Sequence, residues 1–78
     1  MNARVFVNLK PGVLDPAAKA VQGGLHSMGF DEVQSLRLGK VIDPKLEDRP
    51  DAEERLKAMC EKLLANTVIE SYRIEIGD

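Results

Sequence analysis

The chain of 78 residues has one cysteine, one histidine, no tryptophan, one tyrosine and two phenylalanines. A single cysteine excludes an internal disulfide. One cysteine with one histidine is too small a ligand set for a structural zinc site. A net charge of −2, basic residues scattered without a stripe and so few aromatic rings argue against nucleic acid, which calls for a basic footprint and stacking platforms. Apolar runs reach only three or four residues, too short to span a bilayer. The first residues carry no apolar region of the signal-peptide kind. A lone Cys60 suits a reducing compartment. The expectation is a cytoplasmic protein with neither a nucleic-acid nor a membrane partner.

The size of the chain sets a second condition. Ordering 78 residues costs on the order of 115 kcal/mol at roughly 1.5 kcal/mol per residue. A domain this small buries only about 60–65% of its unfolded surface, so its core barely offsets that cost. With disulfide and zinc excluded, a partner chain is the remaining source of stability, and oligomerisation is expected. The whole chain, 1–78, reads as one domain.

Ala3 to Leu9 alternate, with Ala3, Val5, Val7 and Leu9 on one face and Arg4, Phe6, Asn8 and Lys10 on the other. This is a half-buried strand. Lys10-Pro11-Gly12 is a turn, and Asp15 with Pro16 opens a helix as N-cap and first helical residue. Ala17, Val21, Leu25 and Met28 make its apolar face. Gly29 ends it in a left-handed cap, with Phe30 folding back on Leu25. The pair Gly23-Gly24 inside the helix fits either a close neighbouring backbone or a tolerated surface position.

Val33 to Ile42 reads as a second strand with a bend at Gly39, running parallel to the first through a right-handed crossover. Asp43-Pro44 breaks it, and Lys45-Leu46-Glu47 is a loop or a short further strand. Asp51 and Glu54 have capping-box spacing at the start of a second helix. Ala52, Leu56, Met59, Cys60, Leu63 and Leu64 form its buried face, and Asn66 is a candidate left-handed terminus. Val68 to Ile76 is the last strand. The expected fold is α+β: a two-layer sandwich of three long strands, with a short fourth as an option, and two helices on one face. It is related to the ferredoxin-like β-α-β-(β)-α-β arrangement.

Nothing in the pattern carries catalysis. Cys60 falls on the apolar face of the second helix, where a free thiol packs as a small hydrophobe. His26 stands alone on the first helix, and its neighbour Ser27 faces elsewhere. The carboxylates read as caps and exposed helix charges, and no Walker, dinucleotide or zinc spacing occurs. Lys10 with the Gly12 amide could approach an anion, but the turn alone accounts for them. No catalytic, cofactor-binding or metal-ligating residue is expected.

Three stretches carry a resemblance that covers almost the whole chain. They are Val7-Asn8-Leu9-Lys10-Pro11-Gly12-Val13-Leu14-Asp15-Pro16, then Arg37-Leu38-Gly39-Lys40, then the run from Met59 through Ala65-Asn66-Thr67-Val68-Ile69-Glu70 to Tyr72. In these the chain resembles the PurS family, the small subunits of phosphoribosylformylglycinamidine synthase. The resemblance implies a non-catalytic bridging subunit of a ligase complex in de novo purine synthesis. Its partners would be a second copy of itself (a dimer or a tetramer), a large PurL-type synthetase subunit and a PurQ-type glutaminase subunit. ATP and magnesium would be bound by the synthetase subunit, and this chain would hold no cofactor. Ammonia would pass from glutaminase to synthetase without escaping. Outer strand faces and turns would then contact partners, and the candidates are Phe6, Lys10, Arg37, Lys40, Asn66, Glu70 and Arg73. The strand–turn–helix start is also similar to ACT-type modules, which leaves a regulatory, small-molecule-binding dimerisation domain as the alternative.

Overall fold

The computed structural model describes residues 1–77. The elements are β1 (Asn2–Leu9), α1 (Pro16–Ser27), β2 (Gly39–Ile42), α2 (Ala52–Met59) and β3 (Glu70–Gly77), with a π-helical turn, Cys60–Leu64, prolonging α2. The fold is α+β, with one three-stranded sheet in the order β2-β1-β3.

Local chemistry explains how the chain leaves β1. The amide of Val13 donates to Lys10 O at 3.2 Å, and Gly12 sits at φ 87°, a type II turn with Pro11 leading. One carboxylate oxygen of Asp15 accepts from the amides of Ala17 (3.0 Å) and Ala18 (3.2 Å), with Pro16 next to it. At the far end Gly29 takes φ 94°, its amide bonds His26 O, and the amide of Phe30 bonds Leu25 O. Both bonds of a Schellman motif are present, as the sequence leads one to expect.

The sheet departs from that expectation. β2 runs antiparallel to β1, with Val5 opposite Ile42 and Asn8 opposite Gly39. A parallel crossover needs α1 to travel back along the sheet. Instead α1 projects outward, and the segment after it returns beside it. Gln22 Nε2 donates to Gln34 O at 3.0 Å, and His26 Nε2 lies 2.7 Å from Val33 O. The chain therefore re-enters the sheet where it left, as a long hairpin. Residues 33–38 are spent on this return, so β2 has four residues rather than the ten expected. The optional fourth strand is a continuation of β2 beyond Pro44, joined to β1 by a bridge from Asn2 to Lys45.

The core lies on one side of the sheet. Ala3, Val5 and Val7 of β1 pack with Leu56, Cys60 and Ala65, flanked by Ile42, Leu46, Leu64, Tyr72 and Ile74. α1 contributes nothing to it, so one helix covers the sheet where two were expected. Of α1 only Ala18 is buried; Ala17, Val21 and Met28 of its apolar face are exposed, and Leu25 is half-buried. Among the described residues, nothing outside their own helix lies within 4 Å of a Cβ built at Gly23 or Gly24. The outward arm makes the molecule long, 50 × 27 × 14 Å, with a radius of gyration of 16.0 Å. A compact domain of this length has about 11–12 Å.

The second helix also ends differently. The amide of Ala65 bonds Cys60 O at 3.0 Å, an i→i+5 turn. The extra residue rotates the side chains beyond it by roughly 100° about the helix axis. Leu63 swings to 84% exposure and Ala65 takes the buried place. Asp51 makes no cap bond; its carboxylate pairs with Arg49 at 3.0 Å. Asn66 is not left-handed, and its Oδ1 accepts from the amide of Val68 at 3.2 Å. That turn delays β3 to Glu70.

Candidate docking surfaces

The seven residues singled out in the sequence fall into two groups. Lys10, Arg37, Lys40, Asn66 and Glu70 converge where β1 ends. Lys10 Nζ donates to Thr67 O at 2.7 Å. Arg37 donates through its guanidinium to Leu9 O, clipping the returning segment to the end of β1. Lys40 Nζ lies 3.7 Å from Glu70 Oε2, and the other carboxylate oxygen accepts the amide of Asn66 at 2.6 Å. Register explains the meeting: Glu70 stands opposite Leu9, and Lys40 opposite Val7. Each of the five also has a job inside the chain.

Phe6 and Arg73 sit on the other face of the sheet, which no element among the described residues covers. They are cross-strand partners, and the guanidinium of Arg73 lies 4.1 Å from the centroid of the Phe6 ring. Such a stack is worth about 0.5–1 kcal/mol at an exposed site. Arg73 also bonds Glu75 at 2.6 Å, and Arg4 bonds Asp43 at 2.7 Å. The hydrogen bond to Asp43, and then its charge, hold the Arg4 guanidinium still more firmly protonated than usual.

Sequence reasoning missed a third feature. Leu14, Val21, Met28, Phe30 and Leu38 on the arm, and Val68 and Ile69 before β3, are exposed apolar side chains. Met28 is 74% and Val68 82% exposed. An open cleft of about 560 Å³ lies between the Pro11-Gly12 turn and the returning Leu36–Leu38 segment. The signal was present as amphipathicity, but an apolar stripe does not say whose core it enters.

Cys60 is fully buried, and burial, then the nearby Glu61 charge, pushes its thiol pKa up, away from a reactive thiolate. His26 is on another element and occupied by Val33 O. Among the described residues no group of three or more His, Cys, Asp or Glu could hold a metal ion. No helix among them is long and apolar enough to cross a membrane.

Comparison with known proteins agrees with this architecture. The family model for PurS, phosphoribosylformylglycinamidine (FGAM) synthase, matches residues 2–78. The PurS subunit of FGAM synthase from Bacillus subtilis is 55% identical over 77 residues, spanning 96% of this chain and 90% of that one. The Synechocystis subunit is 51% identical, spanning 96% and 77%. The solved structure of B. subtilis PurS superposes with a TM-score of 0.92 at 50% identity, covering 99% of this chain and 98% of that one. A chain of the PurLQS structure from Thermotoga maritima gives 0.82 at 32% identity, covering 95% and 93%. This chain therefore belongs to the PurS family, the PurS subunits of phosphoribosylformylglycinamidine synthase.

Proposed function

We propose that the chain is the non-catalytic bridge of its FGAM synthase complex, in the cytoplasm, acting as a dimer or higher oligomer. It would hold a PurL-type synthetase subunit, which binds ATP and magnesium, next to a PurQ-type glutaminase subunit. One observation carries the reading. The chain exposes 5843 Å², whereas a folded monomer of 8.6 kDa presents about 4,700 Å². The surplus, about 1,100 Å², exceeds the roughly 800 Å² that each partner gives to a standard interface. Five of the exposed large apolar side chains, Leu14, Val21, Met28, Phe30 and Leu38, lie on the arm.

The chemistry supports a bridge. Ammonia released into neutral water is mostly protonated and no longer a nucleophile. A subunit that closes a path between glutaminase and synthetase keeps water out and ammonia reactive. Candidate contacts are the end cluster of Lys10, Arg37, Lys40, Asn66 and Glu70, and the open face of Phe6 and Arg73.

Reconstitution tests this. Glutamine-dependent amidine formation by the mixed synthetase and glutaminase subunits should require this chain, while formation driven by added ammonia should not. Equal glutamine-driven rates without the chain would defeat the proposal. A thermal-shift response to a single amino acid, rising by mass action, would revive the ACT-like alternative.

A further inference from the structure

The open cleft between the Pro11-Gly12 turn and the returning segment, about 560 Å³, stands apart from the core. Its apolar lining comes from Leu9, Val13 and Leu36, which are half-buried, and from Leu14 and Leu38, which are 66% and 39% exposed. None of the five belongs to the cluster under the sheet. Contiguous apolar surface with a polar rim marks a place where another molecule sits.

The rim is basic on an acidic chain. Lys10, Lys19 and Arg37 line the cleft beside a single carboxylate, Asp15, whereas the whole chain carries a net charge of −2. Asp15 is committed to the amides of Ala17 and Ala18. Among the described residues the side-chain ion pairs take Arg4, Lys40, Arg49 and Arg73, and none of the three cations of the cleft. Lys10 and Arg37 each spend one donor on a backbone carbonyl and keep the rest. The Lys19 ammonium bonds nothing among the described residues.

We propose that this cleft seats an acidic, apolar polypeptide segment of a partner subunit. An apolar side chain of the segment lies against Leu14, Leu36 and Leu38, and flanking carboxylates meet Lys10, Lys19 and Arg37. This deepens the bridge reading and rests on it. Two properties select a polypeptide over a small anion. The cleft is open, whereas a small ligand is held by enclosing about 70–90% of its surface. The three cations are exposed, so they steer and orient a partner more than they bind it, and apolar contact has to supply the affinity. Charge then selects the sign of the segment. A basic one would meet three like charges, and an acidic one finds three cations with donors to spare.

Carbodiimide cross-linking of the assembled wild-type complex tests the contact, because it joins an amine to a carboxylate where the two meet. Lys19 should link to an aspartate or glutamate of the synthetase or glutaminase subunit that has apolar residues next to it in sequence. Links from Lys19 only to a second copy of this chain, or none at all, would overturn the proposal. Affinity for the two subunits gives the second arm. Lys19→Glu should bind about three- to tenfold more weakly and with a smaller salt dependence, and Leu14→Asp about tenfold or more weakly. Both side chains are exposed, so the fold should stand. Lys57→Glu, the same charge change on an exposed position of α2, should bind like the wild type. Equal weakening by Lys57→Glu would mean that overall charge, not the cleft, is being read. Wild-type affinity in both cleft variants would remove the cleft and leave the bridge standing. A wild-type chain that binds neither subunit would remove both. A rise in Tm with ATP that Lys19→Glu abolishes would give the cleft to a small anion instead.

Discussion

The phenol of Tyr72 donates to Oε1 of Glu61 at 2.9 Å, tying β3 to the π-helical turn on which Cys60 and Glu61 sit. This bond, then burial and the Glu61 charge, raises the Tyr72 pKa above its ordinary 10.0. The folded chain thus holds that proton more tightly than the unfolded one. The resulting stabilisation is whole below pH 10 and is lost as pH rises through the folded value. Cys60, raised from 9.0 by burial, acts in the same direction. Tm should therefore fall on the alkaline side of pH 9.0. Tyr72→Phe should lower Tm at neutral pH and flatten the alkaline fall. Identical slopes for both proteins would show that the bond carries no linkage.

At Gly39, β2 has no room for a side chain against β1. A Cβ built there would stand 2.2 Å from Asn8 Nδ2 and 2.9 Å from Val7 O. The amide of Asn8 can swing away, but the carbonyl belongs to the backbone. Gly39→Ala should cost about 1–3 kcal/mol in urea unfolding, as overpacking does. Adding Asn8→Ala should recover only part of the loss, because the carbonyl contact persists. Full recovery would assign the constraint to the side chain alone.

These residues also show what a sequence can carry. Asp15-Pro16, Gly12 and Gly29-Phe30 act within a few residues, and each behaves as its local chemistry requires. The alternation of β1 is legible because burial on one face leaves a period of two. The direction of β2 was not legible. It depends on where α1 goes, and an amphipathic helix has the same pattern whether it covers its own sheet or another chain. The π turn was hidden for a related reason. One widened turn moves Leu63 and Ala65 without changing any residue. The candidate surfaces were partly legible: the charged residues named from the sequence gather at the end of β1, but the apolar stripe of α1, which reads as core, is exposed.

Leu56 and Leu63 test the rotation imposed by that turn. Both fit the same helical stripe in sequence, yet Leu56 is fully buried and Leu63 is 84% exposed. Leu56→Ala should cost about 2–5 kcal/mol, enough to unfold much of a small domain. Leu63→Ala should stay within about 0.5 kcal/mol in the unassociated chain. Comparable losses at dilute concentration would mean that Leu63 is packed after all.

Asp15 probes whether the arm belongs to the same cooperative unit as the sheet. Its carboxylate caps two amides of α1, and α1 places no residue in the sheet core. Removing the cap should therefore weaken the arm and leave the sheet alone. Asp15→Ala should lower protection of the α1 amides by about 1 kcal/mol, the usual worth of an N-cap. Amides of β1 paired with β3 should exchange at the wild-type rate in dilute chain, since they open only with the whole fold. Equal loss of protection in arm and sheet at high dilution would instead mean that α1 is held to the sheet in the free chain. The surplus surface would then need another explanation.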